Sequence, residues 1–211
     1  MLKVENLSVS IAAMRILRDV SLEVPTGAMV GLIGRNGAGK TTVMKAIMGL
    51  LKANGAVRFE ERELLSVPTH ARARLGIGYM PEDRRLIPDL TVEENVLVPA
   101  WAAGLPDPAA RLKRIYEYIP EMTELAPRKG LQLSGGQQKL AALARALMCG
   151  TRLLLLDEPF EGVAPALAQR LAEVVSGLKQ EGMSVLISES DLQHSERMVD
   201  RVVTIDRGAI A

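Results

Sequence analysis

Residues 2–10 and 15–24 alternate apolar and polar positions and are rich in Val, Leu and Ile, a period that predicts two strands. Residues 28–33, Ala-Met-Val-Gly-Leu-Ile, do not alternate, and this apolar run predicts a strand buried on both faces. A glycine-rich stretch follows, and then Thr41 to Met48 read as a helix that Gly49 ends. Residues 55–60 and 76–80 predict further strands, with a short helix near 69–75. Between about 83 and 134 only helical signals occur. Thr91-Val92-Glu93-Glu94 has the spacing of a capping box, and Asp107-Pro108 suits the start of a helix through Tyr118. These predict an inserted helical subdomain. Ser134 then caps a helix from Gly135 to Cys149, stopped by Gly150. Residues 152–157 predict a second buried strand, Pro165 opens a helix to Glu181, and Ser184 to Ser188 form another strand. Asp191 is expected to start a further helix, and Val202 to Gly208 read as a strand entering a hairpin turn. Strands and helices alternating in this way imply an α/β fold with a largely parallel sheet covered on both faces.

Three segments carry chemistry. Gly34-Arg35-Asn36-Gly37-Ala38-Gly39-Lys40-Thr41-Thr42 lies between a buried strand and a helix, the setting in which such a loop cradles phosphate. Its glycines let backbone N–H groups turn toward an anion, and the following helix adds its positive end. Lys40 is placed to reach the β- and γ-phosphates, and the Thr41 hydroxyl to bind Mg²⁺. In the second segment, Asp157 and Glu158 follow four leucines at the carboxyl end of a strand, where open α/β sheets bind ligands. Asp157 is then a metal-holding carboxylate and Glu158 a base for the attacking water. Alone, the pair would be ordinary solvated acids; beside the phosphate loop, it gains a purpose. The third segment, Leu133-Ser134-Gly135-Gly136-Gln137, starts a helix with exposed N–H groups and a hydroxyl, also suited to phosphate. One chain with two phosphate cradles invites a partner.

In this order and spacing, the three segments resemble those of the ATP-binding cassette (ABC) ATPases over essentially all 211 residues. The resemblance implies a P-loop NTPase fold of ABC type: a mainly parallel sheet core with antiparallel N-terminal strands and an inserted helical subdomain. Residues 1–82 and 135–211 would form the nucleotide-binding core and 83–134 the insertion, within one domain. It further implies a head-to-tail dimer in which Gly34 to Thr42 of one subunit face Ser134 to Gln137 of the other, with ATP and Mg²⁺ between them. ATP binding would join the subunits and hydrolysis would part them. That motion would reach membrane permease subunits through a groove lined by residues of about 82–101.

Gly78 to Arg85, Leu90 to Asn95 and Asp157 to Pro165 look like one branch, the second ATPase of branched-chain amino-acid importers and related urea and small-acid systems. Importers of that branch combine two permeases, two different ATPases and a periplasmic binding protein. The resemblance therefore places the chain peripherally, at the cytoplasmic face of the inner membrane. Four positions depart from the general cassette pattern. Glu82 stands where a glutamine senses metal and water, and Ser190 where a histidine touches the γ-phosphate. Ile11 stands where an aromatic residue stacks on adenine, and Ala164 where an aspartate is common. Either these are ordinary for the branch, or this chain's own site is slow and its intact Ser134 segment completes a faster site on a different partner.

Composition narrows the field. Hydrophobic residues make up 48% and the formal net charge is +1, so no electrostatic pull toward nucleic acid is expected. No apolar run reaches the roughly 18 residues a membrane span needs, and Met1 to Asn6 lack a signal-peptide pattern. The single cysteine, Cys149, reads as a small buried residue in an alanine-rich helix. His70 and His194 read as solvated, and Arg84-Arg85 as a solvated pair or a permease contact. Trp101 is expected in the subdomain core, with the permease dock as the alternative. A lipid or polysaccharide exporter ATPase shares every core motif. A soluble cassette acting on ribosomes or DNA would carry tandem cassettes or basic insertions, and a P-loop kinase or GTPase would lack the Leu133 to Gln137 segment.

Overall fold

The computed structural model describes residues 1–211. Strands β1 (Leu2–Ile11) and β2 (Met14–Val24) form an antiparallel hairpin. The buried positions of β1 are Leu2 and Val4, then Leu7 and Val9, so the inward face changes parity midway. The cause is a register shift around Asn6, whose φ of 50° lies in the left-handed region. Next come β3 (Met29–Ile33), helix α1 (Lys40–Ile47), β4 (Asn54–Phe59) and the two-residue β5 (Arg62–Glu63). Helix α2 (Thr69–Arg72) runs into a 3₁₀ turn at Ala73–Leu75 and then β6 (Ile77–Met80). Helices α3 (Val92–Ala103), α4 (Pro108–Tyr118), α5 (Glu121–Leu125) and α6 (Gly135–Cys149) follow in succession. The chain closes with β7 (Leu153–Asp157), α7 (Pro165–Gln180), β8 (Ser184–Glu189), β9 (Arg201–Asp206) and β10 (Ala209–Ile210).

Two sheets result. A four-stranded antiparallel sheet has the order β2-β1-β4-β5, and a six-stranded sheet the order β10-β9-β3-β8-β7-β6. In the larger sheet every pairing is parallel except that of β9 with β10. Strands β7 and β8 are buried at every residue, which is why Leu153 to Leu156 and Val185 to Ile187 read as unbroken apolar runs. One layer of core joins Val30, Leu32, Leu153, Leu155 and Leu186 to α1 and the antiparallel sheet. The opposite layer joins Met29, Leu154, Leu156, Val185 and Ile187 to α6, α7 and the helices α3 to α5. The carboxyl ends of β3, β7 and β8 thus emerge together between the layers.

Local signals explain the helix boundaries. Thr91 accepts from Glu94 N at 3.1 Å while Glu94 Oε2 accepts from Thr91 N at 2.7 Å, a complete capping box. Asp107 Oδ1 accepts from Ala110 N at 3.1 Å and so caps α4. Helix α1 ends on Arg72, whose buried guanidinium donates to the carbonyls of Ala46, Ile47, Leu64 and Val67. That cation satisfies orphan carbonyls and opposes the negative helix end. Burial holds the Arg72 guanidinium below its ordinary value.

Two expectations fail. No helix starts at Asp191. Its side chain accepts from Gln193 N at 2.9 Å, an Asx turn that competes with helical hydrogen bonding. Residues 191–199 form turns instead, closed by single bonds such as Val199 N to Ser195 O at 3.1 Å. Trp101 is 55% exposed rather than core. The inward face of α3 is already occupied by Val92, Asn95, Val96, Ala100 and Ala103, and Trp101 falls on the other side. Asn95 fills its buried place by bonding the carbonyls of Ile87, Leu90 and Thr91. Cys149 is buried, as expected.

Candidate nucleotide site

The loop from Gly34 to Gly39 joins β3 to α1 and must pass close to β9. A Cβ on Gly34 would sit 2.3 Å from the Ile205 carbonyl oxygen, so no larger residue fits. Gly39, with φ of 113°, supplies the left-handed N-cap of α1 without a side-chain cap, leaving the first helical N–H groups free to face an anion. Asn36, Gly37, Gly39, Lys40, Thr41 and Thr42 line a cleft of about 300 Å³, completed by Ile16, Glu82, Glu158 and Glu161. Arg35 and Ala38 belong to the same loop but line its other side.

Lys40 is 5% exposed, and its ammonium forms an ion pair with Glu158 Oε1 at 2.8 Å. It also donates to the carbonyls of Gly34 and Arg35. Glu158 sits in a left-handed backbone conformation, with φ of 47°. Its N–H points at Ser188, within 3.2 Å of both the carbonyl and the hydroxyl oxygen. Burial pushes the Glu158 carboxyl above the ordinary carboxylate range, against the opposing pull of Lys40. A carboxylate so disposed is a better proton acceptor near neutral pH.

Asp157 is fully buried, and its partners are hydroxyls, not a cation. Thr41 Oγ1 donates to Oδ1 at 3.1 Å, Ser188 Oγ donates to Oδ1 at 2.8 Å, and Tyr79 Oη donates to Oδ2 at 3.2 Å. Burial, followed by the charge of Asp157, drives the Tyr79 phenol up, so it stays a donor. A hydroxyl and a carboxylate side by side make a hard-oxygen pair that fits Mg²⁺. No group of three or more His, Cys, Asp or Glu gathers anywhere at metal spacing. The donor set therefore suits an ion held partly by substrate phosphates rather than by a protein cage.

Ser190 lies at the rim of this cleft. Its hydroxyl donates to Asn36 Oδ1 at 2.9 Å and lies 3.3 Å from Glu158 Oε1, bridging the phosphate loop and the acid. Glu82 lines the cleft and is exposed. Ile11 is 49% exposed at the end of β1, and the apolar residue of the cleft wall is Ile16. Ser134, Gly135, Gly136 and Gln137 do not line the cleft. Ser134 Oγ accepts from Gln137 N at 3.3 Å and Gln137 Oε1 accepts from Ser134 N at 3.0 Å, and Ser134 and Gly135 are exposed. Four neighbours escaped the sequence reading: Ile16, Tyr79, Glu161 and Ser188. Glu161 follows Glu158 in the same turn, whereas Ile16, Tyr79 and Ser188 come from strands whose own pattern is structural, and only the tertiary fold brings them here.

Glu189, at the end of β8, is 4% exposed, and its Oε1 has no hydrogen-bond partner. Ser195 donates to Oε2. Burial, with Glu158 and Asp191 adding to it, pushes this carboxyl up to about 7 from 4.5. The folded chain therefore holds a proton that the unfolded chain has released between those values. The stability this contributes is complete below about pH 4.5 and is lost as pH rises through about 7. Glu189→Gln imitates the neutral form. It should match the parent in thermal unfolding at about pH 4 and exceed it at pH 8 by on the order of 3 kcal/mol.

A family model described as ABC transporter matches residues 17–161. The chain is 35% identical over 211 residues to the high-affinity branched-chain amino acid transport ATP-binding protein BraG of Pseudomonas aeruginosa, covering 100% of itself and 91% of that protein. It is 33% identical over 213 residues to the lipopolysaccharide export system ATP-binding protein LptB of Acidithiobacillus ferridurans, covering 100% and 88%. Among solved structures, the ADP conformation of MJ1267, an ATP-binding cassette of an ABC transporter, superposes with a TM-score of 0.86 at 30% identity, covering 100% of this chain and 89% of that one. A dimeric structure of MJ0796, a bacterial ABC transporter cassette, gives a TM-score of 0.89 at 25% identity, covering 100% and 96%. Phosphate loop, acidic strand end and whole-chain similarity agree: the chain belongs to the ABC transporter family and is an ATP-binding, ATP-hydrolysing subunit of a transporter.

Proposed function

We propose that this subunit energises import of branched-chain amino acids or related small organic acids and amides, paired head-to-tail with a second ATPase. The observation that carries the pairing is the helix start at Ser134: Ser134 and Gly135 are exposed and lie outside the cleft formed by the chain's own loop. A second subunit presenting its Gly34 to Thr42 loop would complete each site. The dimeric MJ0796 cassette supports that arrangement. Import is supported by the full-length similarity to BraG. The similarity to LptB supports a second reading, an exporter ATPase for a lipid or polysaccharide.

The residues divide the work as follows. Backbone N–H groups of Gly34 to Thr42 and the positive end of α1 hold the phosphates. Thr41 and Asp157 would hold Mg²⁺, which supplies charge neutralisation on the phosphate oxygens when bound. Lys40 is already neutralised by Glu158 at 2.8 Å. A phosphate competing for that ammonium loosens the pair and frees the Glu158 carboxylate to take a proton from the attacking water. Ser190, short and never cationic, positions the Asn36 side chain and the acid rather than stabilising phosphate charge. Glu82 adds negative charge to the same cleft, which favours a slow site here and a faster one on the partner.

No helix of the chain is long and apolar enough to cross a membrane. We assign it a peripheral place at the cytoplasmic face, docked on permease subunits by the helical segment 83–134 against the core of 1–82 and 135–211. A periplasmic binding protein would deliver the transported molecule. The experiment is co-expression with each candidate pair of permeases, followed by membrane fractionation and uptake of labelled leucine. Recruitment with ATP-dependent uptake supports the import reading; recruitment without uptake, but with release of lipid to an acceptor, supports export instead.

A further inference from the structure

Lys139 is 1% exposed, the largest fully buried side chain of the protein, and it is a cation. It sits on α6, five residues after Ser134, and its ammonium donates to one acceptor, the backbone carbonyl oxygen of Glu158, at 2.6 Å. The charged groups that bear on it are Glu82 and Arg84 from the loop after β6 and Glu158 and Glu161 from the turn after β7. A lysine in this position gives up its hydration for a single carbonyl bond, so that bond is expected to have a use.

The use lies in the backbone it holds. A non-glycine residue with φ of 47° costs about 1–3 kcal/mol and persists only where the surroundings impose it. On its amide side Glu158 is held by Ser188 at 3.2 Å, and on its carbonyl side by Lys139 and by Glu161 N at 3.3 Å. Release of the carbonyl would let the peptide plane turn and carry the carboxylate away from Lys40. Glu158 belongs to this chain's own cleft, whereas the start of α6 faces outward, toward the partner's.

We propose that Lys139 is a positioning residue that fixes the strained backbone of Glu158 and ties that carboxylate to the helix beginning at Ser134. A displacement of α6 by the partner's nucleotide is then felt at Glu158 through one hydrogen bond. This rests on Glu158 being the base of the proposed function, and the test separates the two.

Lys139→Met keeps length and removes the donor, and Lys139→Gln keeps a shorter donor. Turnover should fall in the order parent, Gln, Met, with the Met variant down roughly ten- to a hundredfold and KM for ATP changed by no more than about twofold. Amide hydrogen exchange should speed up at residues 158–161 in the Met variant, while the interior of α6 keeps its protection. Lys139→Leu serves as the donor-free variant if the Met protein does not fold. Parental turnover in the donor-free variant overturns the proposal, as does a Gln variant no better than Met with exchange raised along all of α6. If Glu158→Gln retains turnover, the assignment of the base fails; if it abolishes turnover while Lys139→Met is silent, only the role of Lys139 fails.

Discussion

Replacing Glu158 by Gln is expected to lower ATP turnover by about 10²- to 10⁴-fold, the range for loss of a general base. ATP binding should survive. The substituted amide keeps an oxygen within reach of Lys40 and Ser190, so the local contacts at 2.8 and 3.3 Å can persist without the charge. Weakening the competing ion pair also leaves Lys40 more available to phosphate, so the Kd for ATP should stay constant or fall. Equilibrium binding of a fluorescent ATP analogue beside steady-state phosphate release checks both halves. A variant that hydrolyses normally would mean that water is activated elsewhere, with Glu161 or Glu82 the acids left in the cleft.

The second large effect lies in binding. Lys40→Ala should weaken ATP affinity roughly 10- to 100-fold, since a hydrogen bond from a charged donor contributes about 1.5–3 kcal/mol. The loss should be smaller for ADP than for ATP if Lys40 bears on the terminal phosphate. The same change leaves the buried Glu158 without its cation, and burial already favours its neutral form. The variant therefore also lacks the partner that holds the carboxylate at 2.8 Å, and turnover falls further than binding alone explains. Calorimetric titration of both nucleotides into parent and variant reads the difference directly.

The phosphate loop was legible because a two-sided apolar strand, glycines at fixed offsets and a helix start all fall within residues 28–48. The apolar stretches of β7 and β8 were legible for the same reason, burial on both faces, with the buried polar residues Asp157, Ser184, Ser188 and Glu189 confined to the strand ends. Where one side chain competes with the backbone, the pattern misleads. Asp191 resembles a helix start, yet its carboxylate serves Gln193, and Ser195 turns inward to Glu189. Trp101 looks like core by its size, but the face of α3 is set by Val92, Val96 and Ala100. The two-residue β5 and the single-turn α5 are too short to show a period. Ile16, near the start of β2, lines the cleft, and Tyr79, near the end of β6, reaches Asp157; tertiary packing decides both placements and local pattern does not. Lys139 was hidden most completely. A lysine in an alanine-rich helix reads as solvated, and its partner is a backbone carbonyl 19 residues away.

Native mass spectrometry of the Glu158→Gln chain mixed with its candidate second ATPase, with and without ATP and Mg²⁺, bears most directly on the shared nucleotide site. Assembly into a pair of ATPase subunits should require ATP, and Ser134→Arg in this chain should prevent it while leaving the folded monomer intact. Stable nucleotide binding by single subunits, with pairing indifferent to ATP and to Ser134→Arg, would contradict it.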